Sequence, residues 1–306
     1  MTGENQGLPG VVTALQKGGV TKTSLGLNVA ERLANRGNDV VMIDLDHDCH
    51  LTSLLLDDET EEEVLNDETH VGKAMFGDTD PEDLLIETDF GIHLLPSTNL
   101  MGEVVTRMKN TRFGINKLRN EVVIPLYEQG FDYFVIDPPG GEGQMLDAAF
   151  AAVQRTIIPI TPEAGTVNGL ARLLNRTINP LRDEFPIEII AITPNRMHES
   201  ISRDSGEQTI TRDLNQSFRQ YLPEYARVDP EVFEIIDTPG ESLSDIPKPA
   251  IRERKAINDA FKNGLPVAEY DPDCDQVEHF DTLAQMVIDS CEGKDKAEQE
   301  EVPANG

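Results

Sequence analysis

Short, continuously apolar segments alternate with longer segments of helical periodicity along most of the chain. Five apolar segments rich in β-branched residues occupy positions 11–15, 40–45, 133–136, 156–160 and 187–193. They are typical of strands buried on both faces, because a half-exposed strand would alternate apolar and polar residues. Segments 23–36, 116–128 and 167–184 carry apolar residues at helical spacing. The pattern predicts an α/β fold with a mostly parallel twisted sheet and helices on both faces.

The predicted sheet also indicates where ligands should bind. In open α/β sheets, ligands bind at the carboxyl ends of the strands. The loops at 16–21, 46–50 and 138–143 follow three of the predicted strands. We therefore expect these loops to converge on one site.

Composition narrows the class of protein. With 306 residues and 38% hydrophobic content the chain can bury a large core, and we favour one domain over two small ones. Acidic residues outnumber basic ones by 56 to 26, which gives a net charge of -30. The acidic residues are spread along the whole chain, which predicts a halophilic source. This charge disfavours partners that need a broadly positive face, nucleic acid included.

Neither cysteine spacing nor hydropathy indicates an extracellular or membrane protein. The three cysteines form no C-x-x-C pair, so neither a disulfide framework nor a zinc ribbon is predicted. Residues 1–10 lack the apolar core of a signal peptide, and no run of 18 apolar residues occurs. We expect a cytoplasmic protein with no membrane association.

Polar segments set the expected domain boundaries. Residues 1–9 are predicted to be a flexible N-terminus, 10–291 a single domain and 292–306 a disordered acidic tail. The acidic stretch 57–68 is predicted to be an exposed insertion or loop. Such segments bury too little apolar surface to offset the entropy lost on ordering.

The segment after the first predicted strand, residues 17–24, reads Lys-Gly-Gly-Val-Thr-Lys-Thr-Ser. It misses the strict pattern G-x-x-x-x-G-K-[ST], because Gln16 and Thr21 occupy the two glycine positions. Its strand, glycine turn and helix would still direct backbone N–H groups and a helix dipole at phosphate. Lys22 would contact the β- and γ-phosphates, and the Thr23 hydroxyl would bind Mg²⁺. Taken alone, a glycine turn before an ordinary capped helix is equally consistent with these residues.

Two further predicted strands end in carboxylates, which favours the nucleotide interpretation. Residues 42–46 place Asp44 and Asp46 at the end of the second strand, and residues 134–141 place Asp137 in the same position. A strand-terminal aspartate is common by itself. Near a phosphate loop, however, such carboxylates suit Mg²⁺ and an attacking water.

These motifs resemble the ParA, Soj and MinD group of deviant Walker ATPases, whose loop is K-G-G-x-G-K-T and whose second strand ends D-x-D. Further similar segments, from 94–97 to 264–271, extend the resemblance over roughly residues 10–291 and favour the Soj-like branch. The resemblance implies a P-loop NTPase fold with ATP and Mg²⁺ as ligands. It also implies a homodimer that forms with ATP and separates on slow, partner-stimulated hydrolysis, in chromosome or plasmid partitioning or cargo positioning.

The resemblance also assigns roles to individual residues. Lys17 matches the signature lysine that reaches the partner subunit's phosphates, and Asp46 matches the carboxylate that positions the attacking water. Asp137 matches the Walker B aspartate that binds Mg²⁺, and Asp44 would lie beside the Mg²⁺ and the loop lysine. Asn195 is similar to the asparagine that reads adenine. The catalytic set is thus Lys17, Lys22 and Asp46, and the metal set is Thr23, Asp44 and Asp137. The predicted nucleotide-binding set is Lys17, Gly18, Gly19, Val20, Thr21, Lys22, Thr23, Ser24 and Asn195.

Two departures from the family pattern bear on activity. Thr21 replaces the glycine before the loop lysine. A side chain there could crowd the phosphates, and a β-branched residue would be costly if the backbone had to adopt a positive φ. After Asp46 the family's Pro-Gln-x-Asn is replaced by His47, Asp48, Cys49 and His50. Reduced hydrolysis is one expectation, and a non-catalytic nucleotide-binding adaptor is the alternative function. A metal site built from His47, Cys49 and His50 is less favoured than a divergent nucleotide loop.

Partners follow from the family alone. A ParB-like stimulating protein is expected, with non-specific DNA and nucleoid association as further expectations. Two candidate basic clusters are Arg252, Arg254 and Lys255, and Arg212, Arg219 and Arg227. Acidic residues are interleaved with both, which favours ordinary solvated helix faces. Three relatives of the fold are not favoured. Residues 292–301 lack the apolar face of a MinD-like membrane helix, paired cysteines for an iron–sulfur relative are absent, and no glutaminase-like segment suggests a cobyrinic acid diamide synthase.

Overall fold

The computed structural model describes residues 7–15, 20–66, 69–163, 165–198, 206–238 and 249–293. The strands are β1 (Gly10–Thr13), β2 (Val40–Asp44), β3 (Ile86–Glu87), β4 (Ile92–Leu95), β5 (Tyr133–Asp137), β6 (Arg155–Ile160), β7 (Glu188–Met197) and β8 (Ile251–Arg252). The α-helices are α1 (Val20–Ala34), α2 (His50–Leu55), α3 (Asp58–Asn66), α4 (Val71–Met75), α5 (Met101–Lys109), α6 (Ile124–Gln129), α7 (Gln144–Val153), α8 (Thr166–Leu173), α9 (Asn179–Leu181), α10 (Gly206–Ser217), α11 (Pro230–Asp237), α12 (Lys255–Lys262), α13 (Val267–Tyr270) and α14 (Val277–Glu292).

The strands form one eight-stranded sheet in the order β3-β4-β2-β5-β1-β6-β7-β8. Every neighbouring pair is parallel except β3 and β4. The predicted α/β fold is confirmed, and its five predicted strands are β1, β2, β5, β6 and β7. The sequence did not identify β4 or the two-residue edge strands β3 and β8.

Helices cover both faces of the sheet, and alternate residues of each central strand enter different cores. In β1, Val12 packs toward α5, α7 and α8, whereas Val11 packs toward α1 and α14. In β5, Ile136 and Val135 divide in the same way. Burying a side chain of this size stabilises the fold by about 1.5–3 kcal/mol. Burial on both faces explains why these strands are continuously apolar.

The acidic stretch 57–68 was predicted to be an exposed insertion or loop, and the loop alternative is wrong for most of its length. Residues 58–66 form α3. The Asp57 carboxylate accepts a hydrogen bond from the Thr60 N–H (2.8 Å), which caps the start of the helix, and Val64 is buried. One cap and one buried apolar side chain were too weak a pattern to recognise among so many acids.

The predicted helices are reproduced with small differences. Segment 116–128 contains a π-helical turn (Arg119–Val123) that continues into α6, and segment 167–184 contains α8, a second π-helical turn (Leu174–Ile178) and α9. α14 extends to Glu292. The proposed flexible N-terminus and acidic tail lie mostly outside the described residues, at 1–6 and 294–306.

The fold brings the predicted loops to one edge of the sheet. β5 lies between β2 and β1, and Asp44 of β2 is directly opposite Asp137 of β5 in the strand register. α1 begins shortly after β1, at the same edge. The ends of β1, β2 and β5 and the start of α1 therefore frame the candidate site.

Candidate functional site

Thr23 and Asp137 form the innermost contact of the site. Thr23 lies in the first turn of α1, and its Oγ1 donates a hydrogen bond to Asp137 Oδ2 at 2.6 Å. The Thr13 hydroxyl, at the end of β1, lies 3.4 Å from the other carboxylate oxygen of Asp137. Thr23 is 5% exposed and Asp137 is 2% exposed. A hydroxyl and a carboxylate thus meet in a dry position, and such oxygens are the ligands that Mg²⁺ prefers.

Lys22 lies beside this pair. Its side chain is 3% exposed, and its Nζ donates to the Pro138 carbonyl at 2.7 Å. Burial raises the pKa of Asp137, and the Lys22 ammonium and the Thr23 hydroxyl act in the opposite direction. The structure therefore brings Lys22, Thr23 and Asp137 together, with one buried cation near one buried carboxylate.

Asp44 has a different set of partners. One carboxylate oxygen accepts from the backbone N–H of Asp46 (2.9 Å), and the other accepts from the Thr52 N–H (2.9 Å) and hydroxyl (2.8 Å). Burial, and then the nearby Asp137 charge, raise the pKa of Asp44 to about 7. The carboxyl group thus fastens the loop after β2 to the start of α2.

Asp46 lies at the border between the interior and solvent. Its carbonyl accepts from the Ser97 hydroxyl at 2.6 Å, and its side-chain Oδ1 accepts from the Asp48 N–H at 3.2 Å. Ser97 in turn donates its own N–H to the Thr52 hydroxyl at 2.9 Å. Asp46 is thus held through its backbone by β4 and α2, while 21% of its side chain remains exposed.

The loop that departs from the family pattern does not bring His47, Cys49 and His50 together as metal ligands. Within the described residues, the side chains here that lie close enough to share an ion are Asp46, His47 and Asp48, and the last two are exposed. Burial raises the pKa of the Cys49 thiol to about 11.

Thr21 lies inside α1, so its backbone is helical and not left-handed. The anticipated cost of a β-branched residue at positive φ does not arise at this position. Thr21 and Ser24 line a small pocket together with Asn195, Arg196 and Phe261. The side-chain oxygen of Asn195 accepts from the Arg196 N–H at 2.7 Å, and this contact does not use its NH₂ group.

The tip of the phosphate loop is not described. Lys17, Gly18 and Gly19 lie outside the described residues, and for Val20 only the backbone, at the start of α1, is described. The assignments to these four residues stay predictions.

Three polar residues of the site were missed by the sequence analysis. They are Thr13, next to Asp137, Thr52, which binds Asp44, and Ser97, which binds Asp46. Thr13 is a polar residue at the end of an apolar strand, which was a usable signal. Thr52 and Ser97 gave no local signal, because their partners lie on other segments.

The proposed basic clusters are largely neutralised by acidic neighbours. Arg252 and Arg254 both bind Asp275 at 2.8 and 2.7 Å, and Lys255 lies 3.8 Å from Asp259. In the second cluster, Arg212 pairs with Asp237 (2.7 Å), Arg219 pairs with Asp229 (3.3 Å), and Arg227 donates to the Leu222 carbonyl. Most of these cations thus lie beside a carboxylate of the described residues, which lowers the positive charge that either cluster presents.

Membrane insertion finds no support among the helices. Within the ranges that the structure describes, none is both long and apolar enough to cross a bilayer.

Comparison with known proteins places this site in a family. A family model described as an AAA domain matches residues 10–190. The septum site-determining protein MinD of Synechocystis is 31% identical over 235 residues, which span 66% of this chain and 82% of MinD. The chromosome-partitioning ATPase Soj of Thermus thermophilus is 30% identical over 165 residues, 54% of this chain and 59% of Soj.

Solved structures share the fold. A McdA variant from Cyanothece, solved as a complex with ATP, superposes with a TM-score of 0.67 at 18% identity, covering 94% of this chain and 97% of that chain. The family match covers more than half of the sequence, and the MinD alignment covers most of MinD. The chain therefore belongs to the AAA-domain family of ATPases, in the group that includes ParA, Soj and MinD.

Proposed function

We propose that this chain binds Mg-ATP at the ends of β1, β2 and β5 and hydrolyses it slowly, as a dimerisation switch in partitioning or positioning of a cargo. The observation that carries the proposal is the 2.6 Å contact between the Thr23 hydroxyl and the Asp137 carboxylate, with the Lys22 ammonium beside it. These are the three group types that a P-loop site needs for magnesium and phosphate. Relatives named for chromosome partitioning and septum placement support the cellular role.

The residues of the site would have different roles in binding and hydrolysis. Lys22 has three N–H donors and uses one on the Pro138 carbonyl, so its ammonium would direct the others to phosphate oxygens. Thr23 and Asp137 would hold Mg²⁺, directly or through water. When bound, Mg²⁺ neutralises phosphate charge and fixes the geometry for in-line attack. Asp46 would orient the attacking water, and Lys17 would reach the phosphates of the second subunit.

Asp44 is better suited to positioning Asp46 than to binding magnesium. Both of its carboxylate oxygens already accept hydrogen bonds from the loop backbone and Thr52. Through these contacts Asp44 fixes the loop that carries Asp46. We therefore propose Thr23 and Asp137 as the magnesium residues and Asp44 as a positioning residue.

Asn195 is proposed to face the adenine ring. Asn195 lines the pocket beside Thr21 and Ser24, and its NH₂ group would donate to a ring nitrogen of the base. Residues 10–291 would form the nucleotide-dependent unit. A ParB-like protein would stimulate it, and the ion pairs at both basic clusters favour a protein partner over DNA at those two surfaces.

The alternative, a nucleotide-binding adaptor without turnover, is favoured by one observation. Asp46 has its side chain engaged by the altered loop, with His47 Nδ1 at 3.2 Å and the Asp48 N–H at the same oxygen. If this engagement persists with ATP bound, Asp46 cannot orient water. Binding would then occur without hydrolysis.

Mg-ATP binding and phosphate release by purified protein test both possibilities, with Lys22→Ala and Asp46→Ala as variants and Lys262→Ala as a surface control. The switch predicts binding and slow turnover in wild type and in the control, lost binding in Lys22→Ala, and binding without turnover in Asp46→Ala. Light scattering with ATP should then show more dimer for Asp46→Ala than for wild type. Binding without turnover in wild type would select the adaptor, and binding that survives Lys22→Ala would overturn the site.

A further inference from the structure

A locally basic segment interrupts this acidic protein. Residues 104–120 contain five basic residues and no acidic one, in a chain with 56 acidic and 26 basic residues. The basic residues are Arg107, Lys109, Arg112, Lys117 and Arg119. They belong to α5 and the turns that follow it, away from the nucleotide loops.

Two of these residues carry a charge that no nearby acidic side chain in the described part of the chain offsets. Lys109 and Arg112 are exposed, and among the described residues neither has a carboxylate within ion-pair distance. Their neighbours Arg107 and Lys117 do pair, with Asp78 at 2.7 Å and with Glu121 at 2.9 Å. In a molecule with a net charge of -30, unpaired cations side by side produce a local positive patch.

An open groove of about 600 Å³ adjoins this patch, between α4 and α5. Phe76, Leu100 and Val104 supply its apolar wall, and Leu100 is 45% exposed. The Arg107 guanidinium lies 4.1 Å from the centre of the Phe76 ring. The groove therefore offers apolar contact and positive charge at the same place.

Phe113 follows Arg112, whose guanidinium lies 4.9 Å from the centre of the Phe113 ring, and it has an unusual conformation. Its side chain is 67% exposed, and its backbone has a left-handed φ of 60°. The following residue must be glycine, because a Cβ on Gly114 would lie 2.2 Å from the Met108 carbonyl oxygen. An exposed aromatic residue held in a costly conformation is typical of a contact residue kept ready for a ligand.

We propose that Lys109, Arg112, Phe113 and the α4–α5 groove form a docking surface for an acidic segment of a partner protein that carries an aromatic or large aliphatic anchor. The cations match an acidic segment, and the groove and Phe113 match its apolar anchor. Asp78 and Glu103 also line the groove, so the partner's acidic residues would lie over Lys109 and Arg112 and its apolar anchor would enter the groove. Nucleic acid fits this surface less well, because a phosphate backbone would leave the apolar wall unfilled. The proposal does not depend on nucleotide binding.

Fluorescence anisotropy with full-length protein and no nucleotide tests the surface. The probe is a short labelled peptide in which Asp and Glu alternate with Leu and Phe. A second peptide has Ser in place of Leu and Phe, and single-stranded DNA of similar charge is a third probe. The protein variants are Lys109→Glu/Arg112→Glu, Phe113→Ala and, as a matched control, Lys262→Glu. Lys262 is an exposed lysine of α12 on the opposite face, also without a carboxylate partner among the described residues.

The surface predicts that the apolar-containing peptide binds wild type, and that the double charge reversal weakens binding by about tenfold or more. Phe113→Ala should weaken the same peptide, and because alanine keeps the Cβ it leaves the left-handed backbone as it is, so circular dichroism and thermal unfolding should show an intact fold. Lys262→Glu should leave binding unchanged. The proposal is overturned if the peptide does not bind, if the charge reversal is without effect, or if the serine peptide or the DNA binds as tightly.

Discussion

The ends of β5 and β2 carry the same residue type in the same position, but the two aspartates have different surroundings. Asp137 and Asp44 are paired in the strand register, each is at most 2% exposed, and burial raises the pKa of both. Asp137 contacts the Thr23 hydroxyl of α1. Asp44 contacts the backbone of its own loop and Thr52 of α2.

The chain that follows each strand explains the difference. Asp137 is followed by Pro138 and Pro139, which have no N–H to donate, so its carboxylate is left for Thr23 and for a cation. Asp44 is followed by a loop that returns two backbone N–H groups to it, from Asp46 and Thr52. A strand-end aspartate near a phosphate loop is thus a metal candidate only when its own loop does not already satisfy it.

The largest expected effect is a difference in magnesium dependence between variants of Asp137 and Asp44. For Asp137→Asn we expect the Mg²⁺ concentration that gives half-maximal phosphate release to rise on the order of 10- to 100-fold. Asp44→Asn should lower the rate, because the loop that carries Asp46 loosens, but should leave that concentration unchanged. Phosphate release measured over a range of Mg²⁺ at saturating ATP gives both quantities. Equal shifts in the two variants would mean that both carboxylates bind the metal.

A second, smaller effect concerns pH in metal-free protein. The ordinary pKa of an aspartate is 3.8, and that of Asp44 is raised to about 7. Between these values the folded state holds a proton that the unfolded state has lost, so this group's contribution to stability is present at low pH and is lost as pH rises toward 7. Asp44→Asn removes that titration.

Urea unfolding in EDTA at several pH values from 4 to 7 measures this effect as a difference between proteins. The free energy of unfolding of wild type relative to Asp44→Asn should fall as pH rises. Taking the difference cancels the repulsion that all the other carboxylates contribute. A pH-independent difference would show that Asp44 titrates normally in the folded protein.

The sequence predicted the sheet and most of the site because the signals were local. Five strands were continuously apolar, and the Lys22-Thr23 pair and the strand-end aspartates lay beside them. Contacts between distant segments could not be predicted in this way. The Thr52 hydroxyl bridges the Asp44 carboxylate and the Ser97 N–H. Thr52 and Ser97 are 45 positions apart, and neither residue type by itself indicates such a contact.

Two other misjudgements have physical causes. The helix α3 is specified by the Asp57 cap and by Val64 in a segment whose composition otherwise favours a loop. The concern over Thr21 assumed a left-handed backbone, whereas α1 begins one residue earlier. The halophilic source inferred from net charge stays a prediction.

A third experiment compares the threonines that accompany each aspartate. Thr52→Val keeps the shape of the side chain but removes a hydroxyl that donates to Asp44 and accepts from Ser97, at 2.8 and 2.9 Å. The buried Ser97 N–H would be left unpaired and Asp44 would keep only the backbone N–H of Thr52 on that oxygen, which should destabilise the protein by about 1–3 kcal/mol. The matched variant Thr13→Val loses only long contacts of 3.4–3.5 Å, so we expect a loss below about 1 kcal/mol. Denaturant unfolding in EDTA measures both, and equal losses would contradict the difference drawn between the two strand ends.

The smallest effect is expected at Thr21, which lies in α1, the helix whose Thr23 contacts Asp137. Because Thr21 lies in the first turn of α1 with helical backbone angles, Thr21→Gly should relieve no strain. It should cost about 0.5–1 kcal/mol of stability, since glycine loses more conformational freedom in a helix. Phosphate release should stay close to the wild-type rate, and Lys22 and Thr23 should keep their contacts with the end of β5. A large gain in turnover in Thr21→Gly would instead show that the threonine side chain crowds the bound nucleotide, and that the β5 end is less well prepared for catalysis than its hydrogen bonds indicate.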